Sequence, residues 1–145
     1  MELTFSPACP ADSEVIFRFA KELIEVWEDP RAMDISRALQ WTRRKIETHI
    51  DEYTCVLFQG QTAGYFRFCP GDGCMELDDL YIFPEYRGRG IGTAVVNHCC
   101  AGTALPVMLY VFTQNTGALR LYQRLGFTIT EQVSPTRCIL RREAP

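Results

Sequence analysis

Lysine is almost missing from this chain. Lys21 and Lys45 are the only two among 15 basic residues. Neither stands near the glycine-rich segment at residues 87–92, so a nucleotide P-loop, which needs a lysine and a hydroxyl residue at its end, is excluded there. Excess positive charge is missing too: the formal net charge is −3. Binding to nucleic acid through bulk charge is therefore not expected. No apolar run approaches the length of a membrane span, and no membrane partner is expected. Met1-Glu2-Leu3-Thr4 has neither a basic region nor a following apolar stretch, so no signal peptide and a cytoplasmic location are expected. The cysteines number seven, an odd count, with no C-x-x-C pair. That argues against a zinc site, and no metal is expected. The cysteines read instead as small core residues in a reducing compartment. Repeats, low-complexity tracts and linkers are also lacking, so residues 1–145 are expected to form a single domain.

The remaining sequence is 47% hydrophobic, enough for a substantial core. Glu2 to Phe5 reads as a strand. Pro10-Ala11-Asp12 opens a helix in which Val15, Phe19, Leu23 and Val26 recur at helical spacing, ending before Pro30. Ser36 to Ile50 reads as a second helix, with Leu39, Arg43 and Ile46 along one side. Tyr53–Phe58 and Ala63–Phe68 form a predicted hairpin, and a third strand runs from Met75 to Phe83. Ile91–Ala101 is helical, Pro106–Phe112 a buried strand, and Thr116–Leu125 a helix stopped by Gly126. Phe127–Glu131 and Arg137–Leu140 are the last strands. The predicted order is β-α-α-β-β-β-α-β-α-β-β, an α/β (α+β) mixed sheet of about six to seven strands with helices on its faces. The crossover from Met75 to Phe112 requires its two strands to be parallel.

Arg87-Gly88-Arg89-Gly90-Ile91-Gly92-Thr93 lies where a strand and a short loop lead into a helix. Unpaired N–H groups and the helix dipole favour phosphate at such an end. Glycines let the backbone approach it closely. A dinucleotide fingerprint would need an acid about 20 positions further on. No acid occurs between Tyr86 and Thr130, whereas four arginines do: Arg87, Arg89, Arg120 and Arg124. Just upstream, Asp72, Glu76, Asp78, Asp79 and Glu85 stand without a base among them. One stretch suits a polyanion and its neighbour a cationic acceptor.

Arg87-x-x-Gly90-x-Gly92 meets the R/Q-x-x-G-x-G/A pattern of the Gcn5-related N-acetyltransferases, the GNAT superfamily. The whole segment from Leu77 to Gly92 resembles that family's central motif. Asn115, Ala118, Leu121-Tyr122 and Leu125-Gly126-Phe127 resemble its second motif. The resemblance implies a GNAT fold with four helices and acetyl-CoA as co-substrate. It implies cofactor contacts from Leu80, Tyr81, Ile82, Arg87, Gly88, Arg89, Gly90, Ile91, Gly92, Thr93, Asn115, Ala118 and Tyr122. Tyr122 matches the family's general acid, and a backbone N–H between Leu80 and Ile82 would meet the thioester carbonyl. Asn115 could also act simply as a helix N-cap.

A general base is needed because most amines carry a proton at neutral pH. Relatives place it at positions matching Asp78-Asp79 or Glu76. Strand alternation puts Glu76 and Asp78 on one face and Asp79 on the other, and the resemblance implies a bulge near Leu80 to Ile82. Asp78 or Glu76, acting through water, is the expectation. The acceptor site should involve Trp27, Glu28 and Asp79, where aromatic and acidic groups suit an amine. The implied activity is acetyl transfer to a primary amine, a small cationic one, in a ternary complex. Alternatives are a protein N-terminus or lysine as acceptor, and a non-catalytic acyl-CoA sensor. A homodimer paired through the late strands fits the family's habits. His49 and His98 are isolated and read as structural.

Overall fold

The computed structural model describes residues 2–144. Its elements are β1 (Leu3–Pro7), α1 (Ser13–Trp27), α2 (Ile35–Thr48), β2 (Tyr53–Phe58), β3 (Gln61–Pro70), β4 (Met75–Ile82), α3 (Ile91–Ala101), β5 (Val107–Phe112), α4 (Thr116–Arg124), β6 (Thr128–Gln132) and β7 (Arg137–Arg142). The expected order of strands and helices is the observed one. The seven strands form one sheet in the order β1-β2-β3-β4-β5-β7-β6. Only β4 and β5 are parallel, as their helical crossover demands.

Two clusters bury the two faces of the sheet. Ile16, Phe17 and Ile46 from α1 and α2 pack with Tyr53, Cys55 and Tyr65. Ile91, Val95 and Val96 of α3 pack with Leu77, Leu109, Val111 and Leu140 on the other side, where Tyr122 and Leu119 of α4 also dock. Burying Ile46 completely contributes about 1.5–3 kcal/mol. The buried face of α1 is broader than its apolar spacing predicts, because Val15 and Phe19 pack inward beside two residues outside that spacing. Ile16 and Phe17 are buried, while Val26 is 62% exposed near the helix end. Arg43 of α2 also lies outward, bonded to Glu14 at 2.7 Å with its guanidinium over Phe17.

Helix ends follow local chemistry. The Asn115 side chain accepts from the Ala118 N–H and so caps α4. Gly126, at φ 93°, ends that helix while Phe127 N–H donates to the Tyr122 carbonyl at 3.0 Å. Five cysteines are buried and all seven are free thiols. His98 stacks on Phe5 at 4.2 Å, and His49 lies 3.0 Å from Glu52.

One bulge in β4 governs the rest. Opposite β3, Tyr65 pairs with Tyr81 and Arg67 with Asp78, so β4 holds one residue more than its partner over this span. Asp79 takes φ +50° there. As a result Met75, Leu77, Leu80 and Ile82 all pack against the α3/α4 cluster, which strict alternation would forbid. The bulge thus falls at Asp79, just before the predicted Leu80–Ile82 stretch. It corrects the expected faces: Asp78 and Asp79 both turn to the α1/α2 side.

Candidate acyl-transfer site

β4 and β5 are paired only at Met75–Val107 and Glu76–Met108. Beyond that point they splay. The Phe83 N–H donates to Ala63 of β3, so alternation turns the Leu80 and Ile82 N–H groups to the opposite edge, toward the opening. At the other end, Met75 N–H already points to the β5 side, bonding Pro106. Without the extra residue at Asp79 the parity would be reversed, and the Leu80 and Ile82 N–H groups would face β3. Close packing of the hairpin backs this arrangement: a Cβ on Gly64 would lie 2.1 Å from the Tyr81 carbonyl.

The opening is a slot of about 140 Å³ lined by Leu77, Asp78, Asp79 and Leu80 on one side and Leu109 to Phe112 on the other. Leu23 of α1, Asn115, Ala118 and Tyr122 of the α4 segment and Arg137 of β7 complete it. Tyr122 packs its ring edge-on to Phe127 at 5.6 Å. Burial, then the neighbouring Cys99 thiol, raises its hydroxyl above the ordinary tyrosine value. It therefore keeps its proton at neutral pH.

A depression of about 360 Å³ surrounds the glycine loop, lined by Ile82, Tyr86, Arg87, Gly88, Gly90, Ile91, Gly92, Thr93, Leu121 and Arg124. Gly88 and Gly90 sit at φ +76° and +78°, a region that favours glycine, and Gly90 is the N-cap of α3. Gly92 is different. A Cβ there would meet only Ile82 and Leu121 side chains at 3.9–4.0 Å, ordinary contact, so no internal crowding demands glycine. The arginines divide. Arg87 donates to the Ile82 carbonyl at 2.9 Å and lies over Tyr81. Arg124 also lines the depression, whereas Arg89 rests against Phe58 and Tyr86 and, like Arg120, does not. The Tyr81 side chain points away, stacked on Phe19 at 4.1 Å and bonded to Glu22.

On the α1/α2 face lies a cleft of about 300 Å³. It is lined by Glu28 of the α1 end, by Met33, Trp41, Thr42 and Lys45, and by Asp78, Asp79, Phe112 and Arg137. Lys45 Nζ lies 3.0 Å from Asp78 and 2.9 Å from Asp79. Arg67 bridges Glu52 at 2.8 Å and Asp78 at 3.3 Å. The Tyr53 hydroxyl donates to Asp79 at 2.5 Å. Tyr53, Arg67 and Asp78 form one cross-strand row over β2, β3 and β4.

These contacts drive the two carboxyls apart. Burial raises Asp78, but Lys45 and Arg67 outweigh it and hold the carboxyl below its usual range. Asp79 goes up, chiefly through burial and then through the charge of Asp78, against the pull of Lys45 and Tyr53. Glu76 is also raised, by burial and then by Asp78. Glu76 lines neither the slot nor the cleft.

The expected site residues thus fall into groups. Asp78, Asp79, Leu80, Asn115, Ala118 and Tyr122 come together at the slot, and Glu28 joins the two aspartates at the cleft. Trp27 does not line the cleft; the aromatics there are Phe112 and Trp41, the latter 66% exposed. The acidic stretch is also not a bare cationic lure, because Lys45 and Arg67 neutralise Asp78 and Asp79. Lys45, Trp41, Tyr53 and Arg137 are site residues that sequence reading missed. Thr42, Lys45 and Ile46, at i, i+3 and i+4, mark an inward stripe of α2 that could have flagged the lysine. Among the described residues no group of metal ligands occurs, and no helix is long and apolar enough to cross a membrane.

Several known proteins are similar. A mycothiol acetyltransferase of Mycobacteroides abscessus is 33% identical over 122 residues, 76% of this chain and 33% of its own. A peptidyl-lysine N-acetyltransferase of Salmonella typhimurium is 41% identical over 56 residues, 38% of this chain and 37% of its own. The chain therefore spans about a third of the length of each. The PaiA N-acetyltransferase of Thermoplasma acidophilum, solved in complex with coenzyme A, superposes with a TM-score of 0.72 at 18% identity, covering 99% of both chains. That likeness is one of fold. Residues 17–127 match the Acetyltransferase (GNAT) family from within α1 through the splayed strands, the glycine loop and Tyr122, and to that family the chain belongs.

Proposed function

We propose that this chain is an acetyl-CoA-dependent N-acetyltransferase that moves an acetyl group directly to a small primary amine in a ternary complex. One observation carries the reading. The slot between β4 and β5 and the cleft under α1 and α2 share walls: Leu23, Asp78, Asp79, Phe112 and Arg137 line both. A thioester laid in the slot and an amine in the cleft would meet at these residues.

The chain has the features coenzyme A needs. Gly88 and Gly90 hold the left-handed turns that open α3, and Gly92 leaves room that packing does not require. Arg87 and Arg124 add charge beside a diphosphate. Bound acetyl-CoA supplies an activated acyl group as a thioester. The Leu80 and Ile82 N–H groups face where its carbonyl oxygen would develop charge. Asp79, whose carboxyl is raised by burial and by the charge of Asp78, takes a proton from the entering ammonium, directly or through water. The amine nitrogen bonds to the acyl carbon as the carbon–sulfur bond breaks; Tyr122 gives its proton to the departing sulfur and regains one from the second proton that the new amide nitrogen sheds. Asp78 fits the base role less well, because two cations hold its charge. A second copy would pair through β6, the exposed sheet edge.

The test is transfer of radiolabelled acetyl from acetyl-CoA to a panel of small amines, peptides and proteins, with a thermal shift on acetyl-CoA addition. Transfer to small amines with a raised melting temperature is expected. Transfer to protein only would replace the acceptor, binding without transfer would indicate a sensor, and no shift at millimolar acetyl-CoA would overturn the reading.

A further inference from the structure

The cations around the cleft are not equivalent. Lys45 is bonded to Asp78 and Asp79, and Arg67 to Glu52 and Asp78. Among the described residues, no carboxylate lies within ion-pair distance of Arg137 and no group accepts from its side chain. Its guanidinium lies over Tyr110 at 4.8 Å and Phe112 at 5.7 Å. Contact with ring faces satisfies none of its five N–H donors. Yet the residue is half-buried, and it lines both slot and cleft. It is fixed there by the β5–β7 ladder, opposite Phe112.

Glu28 is its counterpart. It is buried, lines the same cleft and has no ion pair among the described residues. The Thr136 hydroxyl, next in sequence to Arg137, donates to it, and both charged residues line the one cleft. Among the described residues no buried side-chain nitrogen or oxygen lacks a hydrogen-bond partner, so the free donors of Arg137 reach solvent, where a ligand can take them. A ligand bearing both signs would satisfy both ends. A polyamine would satisfy Glu28 but set a like charge against Arg137.

We propose that the acceptor carries its own carboxylate, held by Arg137, and so is a zwitterionic amine of the amino-acid class. This rests on the N-acetyltransferase reading above. The chemistry is unchanged: the amine nitrogen takes the acetyl group and the carboxylate serves only as a handle.

Calorimetry with the N-acetyl derivatives of the twenty standard amino acids and with their matching carboxamides tests the handle without turnover. At least one carboxylate should bind about 10- to 100-fold more tightly than its amide. In Arg137→Gln that ratio should fall to about one, and in Arg137→Lys it should be partly restored. Equal binding of acids and amides, no binding of any acid, or a ratio unaffected by Arg137→Gln would overturn the proposal. Transfer assays with free amino acids, their amides and spermidine form the second arm. Preference for spermidine would also overturn it. If acetyl-CoA neither binds nor donates, the enzymatic reading fails on its own, and the binding ratio still judges Arg137.

Discussion

Asp78 and Asp79 are adjacent in a strand, yet both direct their carboxylates at the single ammonium of Lys45, at 3.0 and 2.9 Å. Neighbours in a regular strand face opposite ways. The left-handed turn at Asp79 brings them together. Two carboxylates so close cannot both ionise freely, and their unequal partners decide which one yields.

Exchanging each aspartate for asparagine should therefore separate stability from activity. Asp78→Asn strips Lys45 and Arg67 of a shared anion and should cost about 3–5 kcal/mol. Asp79→Asn removes a like charge while Lys45 keeps Asp78, so its cost should be smaller. Its acetyl-transfer rate, however, should fall by about 10²–10⁴-fold. Urea melts and turnover of the two variants check the split. Equal rates in Asp79→Asn and wild type would remove the base assignment.

Lys45 links the same site to alkaline pH. Burial lowers its pKa, but Asp79 and Asp78 outweigh that and raise it above 10.5. Tyr53 is raised above 10.0 by burial and by Asp79. The folded state keeps these protons longer than the unfolded chain does. Their stabilisation is thus complete below the unfolded values and is lost as pH rises through the folded ones. Lys45→Met should lower the melting temperature by about 10 °C at neutral pH. The gap between wild type and variant should narrow above pH 10.5. A gap constant to pH 12, about the limit of a practical titration, would contradict the pairing.

Gly92 offers a substitution in which stability and binding move in opposite directions. Alanine there meets only ordinary contacts at 3.9–4.0 Å within a helix. Gly92→Ala should stabilise the free protein by about 0.5–1 kcal/mol. The added methyl would still crowd a diphosphate against the α3 N-terminus, so the thermal shift with acetyl-CoA should shrink. An undiminished shift would place the diphosphate elsewhere.

Tyr122→Phe keeps the ring contact with Phe127 and deletes only the hydroxyl. Melting temperature and acetyl-CoA affinity should hold, while kcat falls by about 10²-fold or more. Unchanged turnover would leave Tyr122 a packing residue.

Much was legible without coordinates. The order of strands and helices, the parallel β4–β5 pair, the glycine loop and the Asn115 cap all rest on local chemistry: period, turn residues and helix-end hydrogen bonds. The sequence by itself therefore determined the family and the glycine loop. Tertiary structure alone decided the cleft under α1 and α2. A single inserted residue at Asp79 switches the parity of β4, and nothing in the string Leu77-Asp78-Asp79-Leu80 specifies where that switch falls. Lys45, Trp41 and Arg137 reach the cleft from α2 and β7, and Tyr53 reaches Asp79 from β2, far apart along the chain. Their partnership depends on which faces the helices bury and how the sheet is ordered. Distances across a sheet are set by long-range packing, and a linear sequence does not carry them.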